Sequence, residues 1–138
     1  MLKNYIEKGF GLKEDLSCSE TILYGANLVW NLEMDKNTLK MAAGFSAGFY
    51  NGNICGALSA GAMVLSRIYI RDRAHESPRN GELIKKLIDE FNELMGSEMC
   101  TPLRENHRTE EEGCRPVIIA AAGVLDSIIE REGYPEGE

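Results

Sequence analysis

The chain has 138 residues, 43% of them hydrophobic and 27% charged, which suits one globular domain that buries roughly 70% of its unfolded surface without staples. Fifteen basic residues face 22 acidic ones for a net charge of -7, a balance that speaks against nucleic-acid and membrane-surface partners because it repels phosphate backbones and anionic lipid. The longest apolar run, Ile54 to Leu65, is broken by glycines and a serine and falls short of the ~20 residues a membrane span needs. No leader is recognisable at the N-terminus, so a cytoplasmic location is the expectation.

Helical spacing dominates, and strand-like alternation is scarce. A first helix is expected over Leu2 to Lys8, with Leu2, Tyr5 and Ile6 on one side and Gly9 and Gly11 ending it. Ser17 and Glu20 have the spacing of a capping box and start a second helix. Its apolar face holds Ile22, Leu23, Ala26, Val29 and Trp30, and the polar stretch Asp35 to Asn37 breaks it. A third helix runs from about Thr38 to Ser46. Asn51-Gly52-Asn53 marks a turn, and Asn53 caps a fourth helix from Ile54 to about Arg71. Ser77-Pro78 opens a fifth, in which Leu83, Ile84, Leu87, Phe91, Leu94 and Met95 recur at helical spacing until Gly96 stops it. Thr101-Pro102 opens a short sixth helix, and Arg104 to Gly113 reads as an exposed polar segment. A last helix starts around Arg115-Pro116, runs to Glu132, and is ended by Gly133 and Pro135. The expected fold is all-α: a compact single-domain bundle of about six or seven helices over residues 1–138.

The chemistry-bearing residues are the four cysteines, Cys18, Cys55, Cys100 and Cys114. A reducing compartment disfavours permanent disulfides and favours redox or metal roles. No two of them have the two-residue separation of a thioredoxin-type or zinc-ribbon motif, so spacing alone gives a weak metal signal. Their placement says more, because each falls at or near an expected helix start. There the unpaired N–H groups and the helix dipole favour thiolate, which lowers a cysteine's pKa.

Three readings follow. In the first, the four are redox thiols, with Cys100 and Cys114 paired across a loop of 13 residues and Cys18 with Cys55 as the other pair. In the second, the same four hold a metal centre, an iron–sulfur cluster ahead of zinc. In the third, the chain is an interaction module without chemistry. Gly56, Ala57, Ala60 and Gly61 place small residues along one side of the fourth helix, a face for tight packing, cofactor approach or a homodimer seam. That stretch lacks the lysine and Ser/Thr pair of a phosphate-binding loop and follows no strand.

Other residues carry less. His107 lies midway between Cys100 and Cys114, as a fifth ligand, a proton donor or, more simply, an exposed loop histidine; His75 also sits in a polar stretch. Glu110, Glu111 and Glu112 read as a solvated loop. Arg67, Arg71 and Arg73 would suit an acidic redox partner or, more simply, a helix C-terminus.

Together these residues resemble a known family, the redox-active group named C_GCAxxG_C_C for four cysteines and a Cys-Gly-Ala-x-x-Gly motif. The motif falls on Cys55-Gly56-Ala57-Leu58-Ser59, after the glycine-rich stretch from Gly44. Cys18 precedes Ile22-Leu23, Cys100 lies between Gly96 and Leu103, and Cys114 precedes Val117 to Ala122. The resemblance covers nearly the whole chain, with one departure: the motif's second glycine falls on Ala60, one place before Gly61. It implies a redox role for the four cysteines, supported by Gly56 and Ala57. It also implies kinship with domains of larger redox proteins in which such cysteines hold an iron–sulfur centre.

Overall fold

Local capping chemistry starts several of the helices. In the computed structural model, which describes residues 1–135, Ser17 Oγ accepts the Glu20 N–H at 3.4 Å and Glu20 Oε1 accepts the Ser17 N–H at 3.0 Å. This reciprocal box fixes the start of α2 (Cys18–Val29). The short α1 (Leu2–Glu7) has no cap of its own, and Asp126 supplies one from far along the chain by accepting the Leu2 and Lys3 N–H groups at 2.9 Å each. Proline opens α5 (Pro78–Met95), which Gly96 ends in the left-handed conformation at φ 86°. Proline also lies in the first turn of α7 (Arg115–Glu132). With α3 (Lys36–Leu39), α4 (Gly56–Tyr69) and α6 (Cys100–His107), the described residues hold seven α-helices and no named strand. None of these helices is long and apolar enough to cross a membrane.

Helix α4 lies at the centre, packed against α2, α5 and α7. Its Ala57, Leu58, Ala60, Val64 and Leu65 are all fully buried. Helix α1 lies across α7 and α2 and buries Leu2 and Ile6 completely. Trp30 and Phe91 both take the core positions expected of them.

Three boundaries differ from the sequence expectation, each because a distant or side-chain partner takes a backbone group. Asp35 does not break a helix but caps one, accepting the Thr38 N–H at 2.9 Å, so α3 begins at Lys36. The chain then tightens into a 3-10 turn over Lys40–Phe45. There Ser19 Oγ donates to the Ala42 carbonyl and Ser46 Oγ to the Ala43 carbonyl, both at 2.7 Å. Asn53 is not the cap of α4. Its carbonyl accepts the Cys100 N–H at 2.6 Å while the Cys55 N–H donates to the Glu98 carbonyl at 2.9 Å. This antiparallel bridge, centred on Ile54 and Met99, delays the helix to Gly56. The segment from Arg104 is not all loop, because α6 continues to His107 and only the chain beyond it turns back, closed by the Thr109–Gly113 bridge.

The small face of α4 is used inside the chain. A Cβ on Gly61 would stand 2.9 Å from Leu87 Cδ2 and 3.4 Å from Leu125 Cδ1. Gly56, Ala57, Ala60 and Gly61 are all buried, so that face is not open as a homodimer seam. The methyl of Ala60 is enclosed without exposure.

Two glycine substitutions should act in opposite directions. Gly61→Val forces branched atoms against Leu87 and should destabilise the fold by about 1–3 kcal/mol. Gly81, in α5, has nothing within 4 Å of its Cβ position, so Gly81→Ala should stabilise by about 0.5–1 kcal/mol. Urea unfolding of the two variants checks both signs.

Candidate functional site

Each cysteine stands at a helix start, as the sequence predicts. Cys18 is the first residue of α2 and Cys100 the first of α6, while Cys55 and Cys114 are the N-cap residues of α4 and α7. The structure adds that the four starts face one another: all four cysteines line a single cavity of about 380 Å³. All four are free thiols. Cys55 and Cys100 are buried, at 4% and 8% exposure, and Cys18 and Cys114 are half-buried.

The glycine-rich segment builds one side of this cavity. Four successive residues, Ala47, Gly48, Phe49 and Tyr50, take left-handed backbone angles with φ of 52°, 62°, 59° and 60°. For the three that are not glycine this is strained, costing on the order of 1 kcal/mol each. In return the turn brings the Ala47 N–H onto the Cys18 sulfur and passes Gly48 beneath Cys100. A Cβ on Gly48 would stand 2.6 Å from the Asn53 backbone and 2.8 Å from Cys100 Cβ. A Cβ on Gly56 would stand 2.6 Å from the Phe45 carbonyl oxygen and 2.8 Å from Cys18 Sγ. Gly56, directly after Cys55, therefore leaves room for the sulfur of Cys18.

The expected lowering of the thiol pKa does not hold at Cys18, Cys55 and Cys114. Burial pushes the Cys18 thiol up, against the Ala47 and Ser19 N–H groups that favour its charge, and repulsion from Cys114 and Cys100 adds to the rise. Burial and repulsion from Cys18 push Cys55 up to about 12, against the N–H groups of Ala57 and Leu58. Cys114 is also raised by burial, although Arg108 and, less strongly, Arg104 oppose that rise. Desolvation in a cavity walled by Leu12, Leu16, Leu103, Val117 and Ile118 outweighs the helix starts.

The site includes residues that sequence reasoning passed over. Arg104, Arg108, Glu112 and Arg115 line the cavity with the cysteines. Cys100 and Arg104 are four apart, the spacing of one helical face, and Arg108 follows at the end of the same helix. The Arg115 guanidinium donates to the Ile6 carbonyl and, at 2.8 Å, to the Phe10 carbonyl, fastening the N-terminal segment beside the cavity. His107 is neither a ligand nor a loop residue: it is half-buried on α6 with Nε2 2.9 Å from the Met95 carbonyl. His75 is exposed in a 3-10 turn. Arg67 lies in the last turn of α4, and Arg73 pairs with Asp72 and Glu76 beyond it.

Four thiols around one cavity are the donor set of a sulfur-ligated centre. Among the described residues, however, no group of three or more His, Cys, Asp or Glu side chains is gathered so as to hold a metal ion. The four thiols therefore do not form a ready site for a single metal ion among the described residues.

A family model described as "Putative redox-active protein (C_GCAxxG_C_C)" matches residues 16–128, which include all four cysteines. No curated protein and no solved structure matches the chain.

Two outcomes follow from the geometry. Gly56→Ala should destabilise the fold by about 1–3 kcal/mol, since its methyl meets a carbonyl oxygen that cannot retreat alone. The same variant should change the alkylation rate of Cys18, read by mass spectrometry. The second concerns pH. The folded Cys55 thiol, at about 12, lies above the ordinary value of 9.0, so the unfolded chain loses that proton first. Stability should then fall as pH rises from about 9 towards 12, by on the order of 1 kcal/mol per pH unit from this group. Cys55→Ser should remove that part of the slope in denaturation curves measured across the range.

Proposed function

This chain belongs to the C_GCAxxG_C_C family, and from that premise we propose that its four cysteines form a thiol–disulfide redox centre. The observation that carries this reading is that four unbridged thiols line one cavity and repel one another when charged. Cys114 is the entry point. It is half-buried, and Arg108 and Arg104 favour its thiolate.

The step balances as follows. Cys114 loses its proton to solvent, and its thiolate attacks one sulfur of a disulfide R–S–S–R. The R–S bond to the other sulfur stays intact while the S–S bond breaks, and the leaving thiolate takes up a proton. Cys100, whose charge Cys114 feels, then loses a proton and attacks the Cys114 sulfur. The second thiolate leaves and is protonated. Two electrons pass to R–S–S–R, giving two thiols, and Cys100 and Cys114 become a disulfide. Cys18 feels both Cys114 and Cys100, and Cys55 feels Cys18. Cys18 and Cys55 are therefore the pair that reduces this bridge in turn and is itself oxidised.

The test uses an excess of 2-hydroxyethyl disulfide, with bridges mapped by mass spectrometry after alkylation. Two internal disulfides, Cys100–Cys114 and Cys18–Cys55, should form and be reversed by dithiothreitol. Cys114→Ser should slow the first bridge by about tenfold or more. The initial rate should keep rising with pH beyond the ordinary thiol range, because burial raises the Cys114 thiol and only its thiolate attacks. Four thiols that never oxidise reversibly would overturn this reading. So would anaerobic treatment with iron and sulfide, or with zinc, that loads a stoichiometric metal and blocks all four thiols.

A further inference from the structure

The wall of the cavity carries a charge pattern opposite to that of the chain. With a net charge of -7 overall, the lining nonetheless contributes three arginines, Arg104, Arg108 and Arg115, against one acidic residue, Glu112. Arg115 is committed to the Ile6 and Phe10 carbonyls. Arg104 and Arg108 are not so committed: both are exposed, and among the described residues neither side chain makes an ion pair or a hydrogen bond. Arg104 stands on α6 one turn after Cys100, and Arg108 is the extended residue that caps the end of that helix.

Resting on the thiol–disulfide reading above, we propose that this cavity binds a small organic disulfide bearing a carboxylate, held by Arg104 and Arg108 so that its sulfurs meet Cys114. Size selects a small molecule, since 380 Å³ lies at the lower end of the range for small-ligand sites. The inner wall of Leu16, Leu103, Val117 and Ile118 accepts the methylene and sulfur atoms, which are apolar. A carboxylate cannot enter that part without losing its hydration, whereas at the two guanidinium groups it gains charge-assisted hydrogen bonds, which arginine can make in pairs. Cys114 is the thiol whose charge Arg108 and Arg104 favour. A carboxylate on those arginines therefore sits beside the attacking sulfur, and the reaction itself is the exchange already balanced.

The experiment compares three disulfides of similar size on the full chain: 3,3′-dithiodipropionate (dianionic), 2-hydroxyethyl disulfide (neutral) and cystamine (dicationic). The rate constants for capture by Cys114 should fall in that order, with the anionic probe ahead of the neutral one by about tenfold at low salt. Arg104→Gln with Arg108→Gln should bring that ratio to within about twofold of unity. Taking the ratio cancels any change in Cys114 ionisation, because both probes meet the same thiol. A ratio near one in the unsubstituted chain, or one that survives the double substitution, would overturn the proposal.

A second arm separates binding from chemistry. The Cys114→Ser chain should bind 3,3′-thiodipropionate, which cannot exchange, saturably and with Kd below about 10 mM, read by NMR shifts of cavity residues. Addition of salt or loss of both arginines should abolish those shifts. If no disulfide reacts but this binding holds, the redox reading fails and the anion site stands. If no binding occurs, the anion site fails whatever the thiols do.

Discussion

The site depends on one short piece of main-chain pairing. Residues 53–55 run against residues 98–100, with the Asn53 carbonyl on the Cys100 N–H and the Cys55 N–H on the Glu98 carbonyl. Two cysteines that lie 45 positions apart are thereby placed on facing strands of a two-bond bridge. The same bonds keep residues 53–55 extended, so α4 cannot begin before Gly56 and Cys55 becomes its cap. They also leave the preceding chain little length in which to turn, which it does through the left-handed run Ala47 to Tyr50. That run carries the Ala47 N–H to Cys18. Three cysteines are thus set by one bridge and its consequence, and the fourth is brought in by α7 and the Thr109–Gly113 closure.

Placement at helix starts and burial act on the thiols with opposite sign. A helix start offers N–H groups and partial positive charge, worth at most about 2 kcal/mol to an anion in a partly buried setting. Removing a charge from water can shift a buried group by several pKa units. The direction at Cys18, Cys55 and Cys114 shows that desolvation prevails at all three. The N–H groups still have a role in a neutral site, since a thiol sulfur beside them is oriented and its ionised form is less costly than in a bare apolar pocket.

Much of the fold is legible in the sequence because its signals are local. The Ser17 and Glu20 box, the prolines opening α5 and α7 and the glycine after Met95 lie within a few residues of the boundaries they set. What resists reading is set from a distance. Asn53 has the residue type of a cap, yet Cys100 takes its carbonyl and its own side chain turns to the Ile54 N–H at 3.0 Å. Three left-handed residues that are not glycine, Ala47, Phe49 and Tyr50, have no propensity signal at all, since only the tertiary structure makes that conformation worthwhile. The cysteines are legible as a set because each stands at a helix start. The arginines are not, because Arg104 and Arg108 come to the cavity only once α6 is known to run to His107 and to place Arg108 at its end.

The same competition shapes how a dithiol centre of this kind works. A pair of thiols and a disulfide are both neutral, so an apolar cavity penalises neither end of the exchange. The species it penalises is the thiolate that must form in between. A uniformly apolar cavity would therefore slow oxidation at every cysteine alike. Here the penalty is uneven: Cys55 is raised to about 12, whereas Cys114 has Arg108 and Arg104 working against its burial. In the proposed centre the two arginines ease formation of the thiolate at Cys114, while burial holds Cys18 and Cys55 toward the protonated form. On the proposed reading, burial shields Cys55 and Cys100 from adventitious oxidants and the arginines favour attack from Cys114.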